Sequence, residues 1–126
     1  MADGRAFCWS ARWRSFVYAG RGIRALLESQ HNAWIHAVAT LLVVILGFGL
    51  GIARLDWLAL VLAVVSVWTA EAFNTALEFL SDAASSEFHP LIAKAKDVAA
   101  GAVLICSLGA LVVGLLVFVP HLAQRP

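Results

Sequence analysis

Long apolar runs separated by short polar breaks dominate the chain, on the scale of a bilayer rather than a soluble fold. Ala33 to Ala53 holds 21 residues with no Asp, Glu, Lys or Arg, and Val98 to Val119 holds 22 more before Pro120. Between them, the 24 residues from Trp57 to Leu80 are apolar except for Glu71, Asn74 and Glu78. A hydrocarbon core about 30 Å thick takes around 20 helical residues, so each run is long enough to cross. Crossing requires helices, because every backbone N–H and C=O must find a partner without water. The pattern predicts three transmembrane helices over 33–53, 57–80 and 98–119, with a loop at 81–97.

The segment before them has another period. Trp9, Trp13, Phe16, Gly20, Ile23 and Leu27 recur at steps of 4, 3, 4, 3 and 4, which lines them along one face of a helix. Arg14, Arg21 and Glu28 fall seven apart on the opposite face. Residues 9–29 are therefore expected as an amphipathic helix lying in the headgroup plane. An amphipathic helix packed on a partner protein would show the same pattern. The segment lacks the continuous apolar stretch of a cleavable signal. The whole reads as one all-α integral membrane domain, 1–126.

Composition narrows the function. Of 126 residues, 62% are hydrophobic and 13% charged, which excludes a soluble monomer and a disordered chain. A net charge of +1 gives no electrostatic footprint for nucleic acid. Cys8 and Cys106 lie in unlike surroundings and form no disulfide framework, and His31, His36, His89 and His121 lack zinc-ligand spacing. Glycines 47, 49 and 51 and the small residues 99–102 are expected to let helices pack closely. Ser85, Ser86 and Pro90 mark a turn.

Basic residues set the orientation. Arg5, Arg12, Arg14, Arg21 and Arg24 precede the first span, and Lys94 and Lys96 lie between the second and third. The opposite side has only Arg54 and Arg125. The positive-inside rule therefore places the N-terminus and the 81–97 loop in the cytoplasm.

The second span carries the chemistry. An intramembrane carboxylate costs a few kcal/mol on insertion scales and is expected to face protein, water or an ion. Glu71, Asn74, Glu78 and Asp82 follow at steps of 3, 4 and 4, hence on one helical face. Glu71 lies roughly 10 Å deeper than Glu78 along the axis. Hydrogen-bonding glue between helices accounts for one Asn, but three acids on one face repel each other unless a cation or protons intervene. Clustered carboxylates near an aqueous mouth suit Mg²⁺ shared with phosphate oxygens. Lys94, Lys96 and Asp97 add the cationic donors of phosphoryl transfer, although neither a Walker loop nor a protein-kinase signature is present. On spacing alone the reading ends at cation-dependent chemistry or transport at the cytoplasmic membrane face.

The run EAFNTALEFLSD (Glu71 to Asp82), followed by HPLIAKAKDVAAGAV (His89 to Val103), resembles the signature of the small prokaryotic membrane diacylglycerol kinases. That family includes the undecaprenol kinases. FVYAGRGIRALL (Phe16 to Leu27) and NAWIHAVAT (Asn32 to Thr40) are similar to its surface helix and first span, so the resemblance covers about Arg12 to Leu122. It implies an ATP- and Mg²⁺-dependent lipid kinase of the inner (cytoplasmic) membrane, a homotrimer whose active sites are shared between subunits. In that light Glu71 matches the general base for the lipid hydroxyl, and Asn74 the residue that orients it. Glu78 matches a metal ligand, Lys96 the phosphate-contacting lysine and Asp97 its paired acid. Tyr18 falls where an aromatic meets the nucleotide; Arg14 and Asp82 are further candidates for the nucleotide site. The family's second metal-binding glutamate falls on Gln30, with Glu28 two residues earlier, so the chain departs from the pattern there. The HPLIAKAKD, GAV and GRG stretches lean towards undecaprenol rather than diacylglycerol as substrate. The competing readings are a small cation-coupled multidrug exporter, which normally needs four spans, and a non-catalytic membrane assembly subunit.

Overall fold

The computed structural model describes residues 9–123, which form four helices: α1 (Trp9–Ser29), α2 (His31–Leu50), α3 (Arg54–Ala84) and α4 (Pro90–Ala123). No strand occurs among the described residues. Helices α2, α3 and α4 are each long and apolar enough to cross a membrane. Cys8 and Arg125 lie outside the described residues, as do Arg5 and the rest of both ends.

α1 has the expected amphipathic character, and Trp9, Trp13, Phe16 and Ile23 are all exposed along it. Its attachment to the rest of the chain is at its C-terminal end, where Leu26 is buried. A single non-helical residue, Gln30, then turns the chain into α2 through an extended conformation (φ −113°, ψ 119°).

The helices overrun the apolar runs. At 1.5 Å per residue, α3 (31 residues) is about 46 Å long and α4 (34 residues) about 51 Å, well beyond a 30 Å core. Most of the expected 81–97 loop is therefore helix: α3 continues to Ala84, α4 begins at Pro90, and only five residues connect them. The polar residues there signal the exit from an apolar environment. They do not break the helix, since Ala, Lys and Asp in this stretch tolerate helical backbone. The break itself is local chemistry. The Ser85 hydroxyl oxygen accepts from the Glu87 N–H at 3.1 Å and donates to the Glu87 carbonyl at 3.0 Å. His89 then caps α4: its carbonyl accepts from Ala93 N–H at 3.0 Å and its Nδ1 from Leu91 N–H at 3.3 Å. Pro90, with no N–H to satisfy, stands at the first helical position. Pro120 does not end α4, which runs on to Ala123. A proline in the last turn removes a single helical hydrogen bond, a smaller loss than in mid-helix.

At the other end of the bundle, α2 stops at Gly51, whose φ of +64° places it in the left-handed region that glycine adopts without strain. Its N–H and that of Ile52 return to the Gly47 carbonyl. α3 opens with Asp56 accepting from Ala53 N–H at 3.2 Å, and Asp56 Oδ2 lies 3.7 Å from His121 Nε2 on α4. The apolar core lies beside this turn: Ile52, Leu60, Val117 and Phe118, with Val43, Leu50, Trp57 and Val113 packed on it. Gly47 is part of it, because a Cβ there would sit 2.6 Å from the Trp57 ring. Gly49 differs, with nothing within 4 Å of an added Cβ. The three glycines therefore do three different things, and only Gly47 permits a close approach. α3 and α4 pack along their length, whereas most large apolar side chains of all three spans remain exposed, as a bilayer or further copies require.

Candidate active site

The acidic face of α3 points inward. Glu71 is fully buried, Asn74 and Thr75 are buried, Glu78 is half-buried and Asp82 is exposed. Accessibility thus rises towards the end of α3 as the polar row leaves the apolar stretch. The 3-4-4 spacing puts the four side chains in register, and α2 and the α1–α2 junction cover the row.

Glu78 is held by two amides. The Gln30 Nε2–H donates to its Oε2 at 2.5 Å, and the Asn74 Nδ2–H donates to its Oε1 at 3.0 Å. One amide comes from the residue that breaks α1 from α2, the other from the preceding turn of α3. Glu28 is not brought to this point; it pairs on α1 with Arg24 at 2.7 Å. Of the two residues considered for that position, Gln30 is the one beside Glu78.

Glu71 has the opposite environment. Both of its carboxylate oxygens are buried with no hydrogen-bond partner, as is Asn74 Oδ1. Buried polar atoms are nearly always paired in native proteins, so unpaired ones on one face mark a place that something else completes. Thr75 does not relieve them, because its hydroxyl donates to the Glu71 backbone carbonyl at 2.9 Å.

Lys96 reaches this face from α4, but its partner is Asp82, at 3.0 Å, rather than its chain neighbour Asp97. Both side chains are largely solvated, so the pair contributes at most about 1 kcal/mol. Asp97 and Lys94 are exposed. Arg14 and Tyr18 are exposed on α1, where the Arg21 guanidinium lies 5.7 Å from the Tyr18 ring centroid. Tyr18 is about 18 Å along α1 from Gln30, and Arg14 further still. Within one chain, therefore, Gln30, Glu71, Asn74, Glu78, Asp82 and Lys96 gather at the α3 face, while Glu28 pairs on α1 and Arg14 and Tyr18 lie further out along that helix.

Two apolar grooves run near this row. One, of about 530 Å³, runs between α2, α3 and α4 past Val43, Leu60 and Leu111 and ends at His36 and Trp68. The other, of about 610 Å³, lies between α3 and α4 and is bordered by Asn74, Lys94 and Ala99. A polar row that is buried at Glu71, exposed at Asp82 and bordered by an apolar groove at Asn74 can bring a polar reactant and a lipid alcohol together.

Residues 17–118 match the model of the family described as prokaryotic diacylglycerol kinase. The chain belongs to that family. It is 37% identical over 110 residues to the undecaprenol kinase of Bacillus subtilis (strain 168), covering 87% of this chain and 89% of that one. It is 32% identical over 95 residues to the diacylglycerol kinase of Escherichia coli (strain K12), covering 75% and 78%. A diacylglycerol kinase of Synechocystis is 34% identical over 109 residues, covering 86% of this chain and 62% of the longer relative. Membership makes this chain a lipid kinase, a phosphotransferase with an alcohol group as acceptor, and a multi-pass membrane protein. It displaces the exporter and assembly-subunit readings.

His36, whose spacing in the sequence fits no zinc site, stands beside Glu71, with Nε2 3.7 Å from Oε2. The signal was available in principle: an ionisable side chain inside a run otherwise free of charge is a functional candidate in its own right.

Proposed function

We propose that this kinase transfers the γ-phosphoryl group of ATP to the hydroxyl of a membrane lipid, undecaprenol in preference to diacylglycerol. The observation that carries the reading is Glu71, fully buried with both carboxylate oxygens unpartnered, two helical turns from a second, amide-held carboxylate. Glu71 takes the proton of the lipid hydroxyl as the oxygen attacks the γ-phosphorus. The new O–P bond forms as the bond to the β–γ bridging oxygen breaks, and ADP leaves with that electron pair. Such a transfer needs mainly alignment and charge stabilisation. Asn74 orients the reactants between the two acids, and the Lys96 ammonium, released from Asp82, offsets charge on the transferring group.

Glu78 is the residue here that fits a magnesium ion. Among the described residues no three of His, Cys, Asp and Glu are grouped as a metal site. One carboxylate flanked by the Gln30 and Asn74 amides, beside the unpartnered Asn74 Oδ1, suits an ion that brings phosphate oxygens and water with it. Mg²⁺ bound with ATP would supply charge neutralisation across the β- and γ-phosphates.

Arg14 and Tyr18 complete the nucleotide site from a neighbouring subunit, in a homotrimer with shared active sites, and Asp97 acts as the acid paired with Lys96; the separation of Arg14 and Tyr18 from Gln30 along α1 supports the shared site. The distribution of basic residues supports the inner membrane with a cytoplasmic N-terminus. The lean to undecaprenol rests on the likeness to the Bacillus protein, which spans nearly the full length of both chains. The test offers γ-labelled ATP with undecaprenol and diacylglycerol side by side in mixed micelles. Mg²⁺-dependent labelling of both lipids, undecaprenol faster, is expected. Preference for diacylglycerol would reverse the substrate assignment, and labelling of neither lipid would end the reading.

A further inference from the structure

α2 passes beside the deepest acid of α3 and presents one polar side chain to it. His36 Nε2 is buried without a hydrogen-bond partner, and so are both oxygens of Glu71. The two side chains are 15% and 1% exposed, and Nε2 lies 3.7 Å from Oε2. That separation is roughly 0.5 Å beyond the upper end of the N–H···O range. Catalytic hydrogen bonds are often long without substrate and tighten when it binds.

The wall around the imidazole is fixed. Trp68 meets it edge-on, with ring centroids 6.3 Å apart and planes at 65°. The Trp68 indole N–H donates to Thr40 Oγ1 at 3.0 Å, and that hydroxyl donates to the His36 carbonyl at 2.7 Å. Thr40 and Trp68 thus tie α2 to α3 one turn from His36, and they use up the polar atoms that might otherwise have partnered the ring.

We propose that His36 is a positioning residue for Glu71: its Nε2–H donates to Oε2 and leaves Oε1 directed at the lipid hydroxyl. The inference rests on the reading of Glu71 as the base. A glutamate's terminal torsion is broad and roughly two-fold, so an untethered carboxylate presents its lone pairs over a wide arc. Tying one oxygen removes that freedom and leaves the other for the reaction. A neutral imidazole has one N–H to give, and a carboxylate opposite Nε2 selects the tautomer that carries it there. His36 also closes the 530 Å³ apolar groove at its polar end, so a lipid tail seated there would bring its alcohol to this pair.

The test uses the purified full-length protein in detergent, comparing wild type, His36→Leu and His36→Gln, each with and without Glu71→Gln. His36→Leu is expected to lower kcat by 10- to 100-fold (about 1.4–2.7 kcal/mol) while KM for ATP and lipid stays within threefold. His36→Gln, which keeps an N–H donor, should recover most of the loss, and His36→Leu should add nothing once Glu71 is Gln. Unchanged kcat, a loss confined to KM, or an equal loss in the Glu71→Gln background would overturn the proposal. Nitrogen-15 NMR of labelled histidine reads the contact without turnover: a protonated Nε2 resonance of His36 should shift on Glu71→Gln. A resonance that does not move would overturn the pairing even in a variant too damaged to assay. Full activity of Glu71→Gln would instead remove the base itself, a different failure with a different signature.

Discussion

Glu78 accepts one amide hydrogen on each oxygen, and that arrangement governs what substitutions around it should do. Its carboxylate is held by the Gln30 and Asn74 side chains, so removing it should leave the helices in place and weaken mainly the metal-dependent step. Glu78→Ala is expected to raise the Mg²⁺ concentration for half-maximal lipid phosphorylation at least tenfold; an unchanged titration curve would take Glu78 out of the metal site. Gln30→Glu is the complementary change. Two carboxylates within hydrogen-bond distance repel unless a cation or proton separates them. That variant should therefore unfold at lower temperature than wild type in EDTA and regain the difference with Mg²⁺, through binding linkage. A melting temperature indifferent to Mg²⁺ in both proteins would contradict the account. Asp82→Asn should change stability by less than about 1 kcal/mol in detergent unfolding, because the Lys96 pair it breaks is solvated.

Among the helices, existence and type were legible in the sequence because periodicity and length are global signals. Three uncharged or nearly uncharged runs admit only spanning helices, and the 3-4-4 spacing of Glu71, Asn74, Glu78 and Asp82 fixes one face whatever the helix packs against. The ends were less legible. Ser85, the His89 cap and Gly51 act through single hydrogen bonds and one backbone angle, so polarity alone placed a loop over residues that are mostly helical. The inward direction of the acidic face could be argued from cost, but the His36–Glu71 approach is a relation between two helices and has no trace in the spacing of either. Gly47 is similar. Small size was readable, but that the Trp57 ring of α3 fills the gap was not. Adding a methyl group there should overpack the α2–α3 contact, and Gly47→Ala is expected to cost about 1–3 kcal/mol. Equilibrium unfolding in mixed detergent checks this against Gly49→Ala, where an added Cβ meets nothing and little loss is expected.

At the scale of the whole molecule, one chain brings together some of the candidate site residues and leaves others apart. The α3 face, Gln30 and Lys96 come together, whereas Tyr18 stands about 18 Å from Gln30 along α1 and Arg14 further still. If those residues serve a neighbour's Glu71, mixing two inactive variants should restore activity. Glu71→Gln subunits co-assembled with subunits carrying Arg14→Ala and Tyr18→Ala would regain a fraction of wild-type turnover, whereas each alone would not; absence of rescue would argue for sites confined to single chains. The account as a whole depends on a buried acid on the middle crossing acting as the base for a lipid alcohol. The most direct measurement is transfer of labelled γ-phosphate to undecaprenol by wild type and Glu71→Gln at matched folding and oligomeric state. A fall of at least a thousandfold, about 4 kcal/mol of transition-state stabilisation, is the expected result; turnover within tenfold of wild type would contradict it.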